Sequence, residues 1–259
     1  MTEASMNVLI QEKKFIVFDF DGVVCDSTDE CMVTSWNAWE QWEGRNGFRR
    51  GVEEFGDSEI RNFRSLRPYV KGAGEYYIVR RLLSEGKMVK DQTQYDFYVE
   101  KWREWASSFK EIFFNCRELL RKENLTAWID LHPVYDDVIL LMKDLNLQQR
   151  LFIATLKDGE SVKLILNHHG VNLDEGRLLD QSMIKSKLQA LDIIREMLKC
   201  SQTDLLFVDD NLTHLIAPHN AGYHVYLTTW GNVLPEFIKS SQHLSLPTIT
   251  INDLRVLIK

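Results

Sequence analysis

Asp19 and Asp21 stand one residue apart in FIVFDFDGVV, residues 15–24, where a short apolar run gives way to glycine. Two carboxylates this close repel each other, so at neutral pH one must hold a proton, accept a strong donor or share a cation. Asp209 and Asp210 close a second apolar run, DLLFVDD, and carry the same cost unless a metal or a lysine answers them. Thr155 ends a third run, RLFIAT, ahead of Leu156, Lys157 and Gly159. A hydroxyl and backbone N–H groups in front of a helix can hold phosphoryl oxygens there.

The elements that must position these residues follow from pattern. Ile16, Val17 and Phe18 are β-formers in a run short enough for a strand buried on both faces. Gly22 then lets the chain turn and aim the two carboxylates around one point. Beyond it the pattern becomes helical, with Asp26, Ser27 and Thr28 as caps before CMVTSWNAWEQW. Little strand signal follows before about Asp130. AGEYYIVRRLLSEG and YDFYVEKWREWASSF are amphipathic at helical spacing, and breaks at 44–56, 67–74 and 86–91 divide the block into several helices.

From Pro133 helices and short apolar strands alternate: VYDDVILLMKDL, RLFIAT, GESVKLILNHHG, GRLLD, KLQALDIIREMLK, DLLFVDD, LTHLIAPHNAG, HVYLTT and a final helix, INDLRVLI. Such alternation implies a parallel sheet with crossover helices. The N-terminal strand has no sheet of its own and must join this later one. The expected organisation is an α/β core formed by 1–25 and 131–259, interrupted by an all-helical domain at 26–130. Strand ends then bring Asp19, Asp21, Thr155, Asp209 and Asp210 toward one place, where open α/β sheets bind ligands.

Composition narrows the partners. Lys and Arg number 31 against 38 Asp and Glu, a net charge of −7, which argues against nucleic acid as a partner. Cys25, Cys31, Cys116 and Cys200 are scattered without a CxxC pair, favouring reduced thiols and a cytoplasmic location. The N-terminal residues MTEASMNVLIQEKK lack a secretory apolar region, and no run approaches the roughly 18 apolar residues of a membrane span.

FDFDGVV, FIAT, a lysine and FVDDN, in that order, resemble the four motifs of the haloacid dehalogenase-like (HAD) superfamily. The likeness implies a Rossmann-like three-layer α/β/α core with a helical (C1-type) cap, in the phosphoglycolate phosphatase-like branch. In the superfamily's phosphatases it implies a nucleophile at Asp19, an acid/base carboxyl at Asp21, a phosphate-binding Thr155 and a bound Mg²⁺. Mg²⁺ takes oxygen ligands, which suits Asp19, Asp210 and the main-chain carbonyl of Asp21. The expected activity is magnesium-dependent hydrolysis of a small phosphorylated metabolite through an aspartyl-phosphate.

The lysine has two candidates in MIKSKLQAL. Lys187 is favoured, because Leu191 and Ile194 then take the apolar positions one and two turns into the helix; Lys185 is the alternative. Many members carry glycine where this chain has Asp209, and an acid where it has His214. Asp209 then acts through a water or holds Lys187. Lys157 reaches either the site or the cap, although a solvated loop lysine is the ordinary reading.

Arg61, Arg64, Arg67 and Lys71 form a basic run in the insertion. A solvated helix face is the plain reading, and a second anionic group of the substrate the functional one, carried by Arg64 or Arg67. KGAGE reads as a turn, because it lacks the setting of a nucleotide-binding fingerprint. Trp36, Trp39, Trp102 and Trp105 read as packing, and Cys25 as a packed thiol. His168, His169, His214 and His219 show no zinc-ligand companions.

Two alternatives accompany the phosphatase. A phosphomutase of the same superfamily would return the phosphoryl group to bound substrate, and a catalytically silent scaffold would keep the fold alone. A signalling receiver domain has the wrong motif order and no helical insertion after its first strand.

Overall fold

The computed structural model describes residues 14–258. β1 (Phe15–Phe18) runs parallel between β2 (Leu151–Ala154) and β4 (Leu205–Asp209), with Phe18 level with both Ile153 and Val208. β3 (Leu178–Leu179), β5 (His224–Thr228) and β6 (Thr248–Ile249) complete a parallel sheet of order β3-β2-β1-β4-β5-β6. Alternate residues of β1 face opposite layers. Ile16 and Phe18 share one apolar cluster with Leu206 and Val208, whereas Val17 shares the other with Phe152 and Phe207.

The block after β1, up to Asp130, holds six α-helices among the described residues: α1 (Thr28–Trp42), α2 (Asp57–Leu66), α3 (Tyr76–Ser84), α4 (Gln92–Lys101), α5 (Arg103–Glu123) and α6 (Leu125–Asp130). The three expected breaks fall in the gaps between α1, α2, α3 and α4. A further break at Trp102 divides YDFYVEKWREWASSF into the end of α4 and the start of α5. Trp39 and Trp102 are buried as expected, but Trp105 stays about half exposed. The apolar cluster of this block is continuous with one face of the sheet, so the insertion packs directly on the core.

After β1, α7 (Asp136–Leu147), α8 (Gly159–His168) and α9 (Lys187–Leu198) alternate with the strands, followed by α10 (Leu212–Asn220), α11 (Pro235–His243) and α12 (Ile251–Leu257). Val138, Ile165 and Leu254 carry α7, α8 and α12 onto one face, and Leu191, Leu215 and Phe237 carry α9, α10 and α11 onto the other. The core is therefore three layers, α/β/α. β6 and α11 were not anticipated: a two-residue strand after Pro247 and the mixed PEFIKSSQH helix have too little periodicity to stand out. Among the described residues no helix is long and apolar enough to cross a membrane.

Candidate active site

The register of β1, β2 and β4 places Asp19, Thr155 and the pair Asp209 and Asp210 at the same edge of the sheet. Asp19 continues the ladder through its N–H to the Val208 carbonyl (2.9 Å), and Thr155 donates its N–H to Leu179 (2.9 Å). Beyond Asp21 the chain folds into a tight loop in which Gly22 takes φ +84° and donates to the Cys25 carbonyl (2.7 Å). A Cβ on Gly22 would lie 1.8 Å from an Asp210 oxygen. The glycine of the first motif thus leaves room for the Asp210 carboxylate against the loop, besides turning the chain.

Lys187, the first residue of α9, points back under the strand ends. Its Nζ donates to Asp19 Oδ1 (2.5 Å) and to the Ala154 carbonyl (2.7 Å), and lies 3.4 Å from Asp209 Oδ2. Lys185 is exposed and engages Gln189 through its backbone N–H. The periodicity of Leu191 and Ile194, both fully buried, accounts for the difference.

Asp209 is fully buried, accepts from the Asn211 N–H (2.8 Å), and lies 3.2 Å from His214 Nδ1. Burial would raise its carboxyl, but His214 and Lys187 outweigh that and hold it down. Asp209 therefore holds Lys187, and His214, at the position where many members of the superfamily carry an acid, lies beside Asp209.

Asp210 has no such answer. Its Oδ2 accepts from the Asn232 N–H (2.9 Å), while burial, Asp209 and Asp19 push its carboxyl up. Burial also pushes Asp19 up, against the pull of Lys187. Asp19, Asp209 and His214 bring their ligand atoms within 4.8 Å of one another, but the Lys187 ammonium already serves the two acids of that group. The oxygen-rich side with Asp19 and Asp210 is the part still short of positive charge, and it fits a hard divalent cation.

Asp21 is in a different field. Burial would raise its carboxyl, yet Lys157, Arg67 and Arg117 bring it down to about 2. Lys157 Nζ lies 3.2 Å from Asp21 Oδ1 and 3.7 Å from Glu30 Oε2, and its side chain is wholly buried. The solvated-loop reading of Lys157 is thus corrected: apolar neighbours and two acids draw it inward. Thr155 Oγ1 accepts from the Lys157 N–H (3.1 Å), and the Gly159 N–H donates to Asp180 (2.8 Å). Of the N–H groups that the sequence offered for phosphoryl oxygens, two are therefore already engaged.

The basic run divides. Arg64 is exposed and pairs with Asp26 (3.3 Å) and Asp29, whereas Arg67 is buried in the wall of the cavity that holds Asp19, Asp21 and Asp210. The solvated-face reading therefore fails for Arg67. KGAGE is a turn at the rim of the same cavity and leads straight into α3. Glu30 and Arg117 escaped sequence reasoning altogether. Glu30 accepts from Arg117 Nε (2.7 Å) and Nη2 (2.8 Å), both residues buried, and Arg117 also reaches Asp158 (3.1 Å).

The class these features define is an α/β enzyme with a carboxylate-centred site walled in part by the helical block that follows β1. A family model described as "Hydrolase: haloacid dehalogenase-like hydrolase" matches residues 13–222, and the chain belongs to that family. Among solved structures it is similar to a predicted phosphoglycolate phosphatase from Haemophilus somnus, at 17% identity over 96% of this chain and 100% of that one, with a TM-score of 0.62. A predicted phosphatase from Clostridium acetobutylicum gives 15% identity, 95% and 98% coverage and a TM-score of 0.61. A hydrolase from Pseudomonas syringae gives 11%, 92% and 92%, and 0.56. No curated protein gives a significant match.

Proposed function

We propose that the protein is a magnesium-dependent phosphatase of small phosphate monoesters, working through an aspartyl-phosphate on Asp19. The observation that carries this reading is the buried contact of Lys187 Nζ with Asp19 Oδ1, at the strand edge shared with Thr155, Asp209 and Asp210. It supports a carboxylate held in one orientation, with a lysine beside the place where phosphoryl charge arrives. Asp19, Asp210 and the Asp21 carbonyl would hold Mg²⁺, which when bound supplies charge neutralisation for the phosphoryl oxygens.

Asp19 attacks phosphorus, the bond to the leaving oxygen breaks, and Asp21 gives that oxygen its proton. Asp21 then takes a proton from water, whose oxygen attacks phosphorus as the bond to Asp19 breaks, releasing phosphate and returning Asp19 to its carboxylate and Asp21 to its protonated form. Lys157, Arg67 and Arg117 favour the ionised Asp21 that the second step requires, so the proton of the first step is one that Asp21 takes up from the bound phosphate monoanion. Thr155 and Lys187 orient the phosphoryl group, and the inserted helices form the lid over the leaving group.

Asp19→Asn removes the nucleophile and keeps the shape. Hydrolysis of an aryl phosphate is expected to fall by about 10³-fold or more, with an unchanged far-ultraviolet circular dichroism spectrum. Wild-type turnover in that variant would reject Asp19 as nucleophile. Release of inorganic phosphate, rather than an isomeric phosphosugar, separates the phosphatase from a phosphomutase.

A further inference from the structure

Residues 229–234 join β5 to α11 and run against the strand edge at Asp210. Both ends of this segment are fixed. The Thr229 N–H donates to the Ile249 carbonyl of β6 (3.1 Å), and Phe237 is buried in the apolar cluster of α9 and α10. Between them Trp230 Nε1 donates to the Val23 carbonyl (3.0 Å), and the Asn232 N–H donates to Asp210 Oδ2 (2.9 Å). Among the described residues that is the one hydrogen bond to the Asp210 side chain. A Cβ on Gly231 would lie 2.1 Å from the Gly22 carbonyl oxygen and 2.7 Å from Asp210 Cβ. Gly231 does not take a left-handed backbone, so what requires glycine there is the close approach of two main chains.

These contacts bear on both kinds of oxygen that the cation would take. Asp209 and Asp19 repel the Asp210 carboxylate, which would turn away from them if nothing held it. Asn232 fixes Oδ2 and leaves Oδ1 without a protein donor. On the other side the Gly22 N–H donates to the Cys25 carbonyl (2.7 Å), so the planar trans peptide turns the Asp21 carbonyl the opposite way. Gly231 bears on the carbonyl end of the same glycine, and Trp230 holds the carbonyl after it. Ligating oxygens stay aimed at a metal through outer partners of this kind.

We propose that Trp230, Gly231 and Asn232 are positioning residues of the cation site, bracing the Gly22 loop and Asp210 against each other so that an Asp210 oxygen and the Asp21 carbonyl converge on one ion. This rests on the Mg²⁺ site proposed above and deepens it: affinity for the ion depends on a segment that supplies no ligand. The brace comes from the end of β5, so the site draws on a third strand beside β1 and β4, which carry the ligands.

The test is calorimetric titration of Mg²⁺ into substrate-free protein, with a thermal scan in EDTA beside it, for wild type, Gly231→Ala and Trp230→Phe. Gly231→Ala drives a Cβ into the Gly22 carbonyl, a main-chain group that cannot step aside without moving the loop. Its Mg²⁺ dissociation constant is expected to rise by about tenfold to a hundredfold, the usual loss when the outer partner of a ligand is removed. Trp230→Phe keeps an aromatic ring and takes away the donor to Val23, so its constant should rise in the same direction by less. A segment with a structural role alone would lower Tm in EDTA and leave the dissociation constant at its wild-type value; that result in Gly231→Ala overturns the brace. If Gly231→Ala does not fold, Trp230→Phe decides alone, and a wild-type constant there overturns the brace. Absence of Mg²⁺ binding by wild type overturns the cation site and the brace with it, whereas binding by wild type that weakens in Gly231→Ala supports both.

Discussion

At the scale of single residues, Lys187 and Lys185 show how two positions of helix phase separate a buried lysine from a surface one. They flank Ser186, the N-cap of α9, whose side chain accepts from the Gln189 N–H (3.2 Å). The residue after the cap turns inward with Leu191 and Ile194; the residue before it faces water. Lys187→Ala leaves Asp19 and Asp209 facing each other without their ammonium, and takes a cation from the proposed phosphoryl site. Its kcat on an aryl phosphate is expected to drop by on the order of 10²–10³-fold. Lys185→Ala should stay within about twofold of wild type, as surface changes away from a site usually do. A dead Lys185→Ala beside an active Lys187→Ala would reverse the assignment.

At the scale of elements, α1 and α5 meet through a charge cluster that ties the helical block after β1 to the start of α8. Glu30 of α1 receives both Arg117 bonds and one from Thr34 (2.6 Å), all within buried surroundings. Arg117 and Arg121 of α5 continue to Asp158, the N-cap of α8. Glu30→Gln removes the charge that Arg117 and Lys157 share and leaves them Asp158 and Asp21 alone, and is expected to cost about 3–5 kcal/mol in urea unfolding at neutral pH. Burial alone would raise the Glu30 carboxyl, but Arg117 and Lys157 hold it well below the ordinary range. A depressed carboxyl contributes fully above its unfolded pKa and loses that contribution as pH falls toward the folded value. The gap between wild type and Glu30→Gln should therefore narrow progressively below about pH 4.5. A gap that holds or widens on acidification would place its origin in packing. None of this cluster was legible in the sequence, because its main partners lie 87 residues apart and each sits in an ordinary helical pattern. The strand ends were legible for the opposite reason. FIVF, LFIA and LLFVD are short apolar runs, and in-register parallel pairing carries the residues after them to one edge without long-range knowledge. Arg67 lay between: its run was visible, but only the fold of the α2–α3 connection turns one arginine inward and leaves Arg64 outside.

At the scale of the whole molecule, folding gathers charges that are far apart in the chain and then leaves one sign in excess. Asp19, Asp209 and Asp210 come from two neighbouring strands, and Lys187 lies within 4 Å of the first two but not of Asp210. Burial with mutual repulsion pushes the carboxyls of Asp19 and Asp210 up, so their ionised forms weigh against the native state. A cation that binds this grouping has no counterpart in the unfolded chain, where the acids are separated, and so stabilises the fold by mass action. At a hundred times its dissociation constant the effect is about 2.7 kcal/mol. For a chain of this size that is a rise of roughly 5–10 °C in Tm. The measurement is a thermal scan in EDTA and in excess Mg²⁺ at matched ionic strength, without substrate, so that binding is read independently of catalysis. Wild type should shift upward in Mg²⁺, and Asp210→Asn should lose the shift because it removes the carboxylate that Lys187 leaves unpaired. Equal Tm for wild type in both buffers would show that Lys187, with His214 against Asp209, already balances the strand edge. An undiminished shift in Asp210→Asn would move the cation toward Asp19, Asp209 and His214, and with it the side of the site proposed to hold phosphoryl groups.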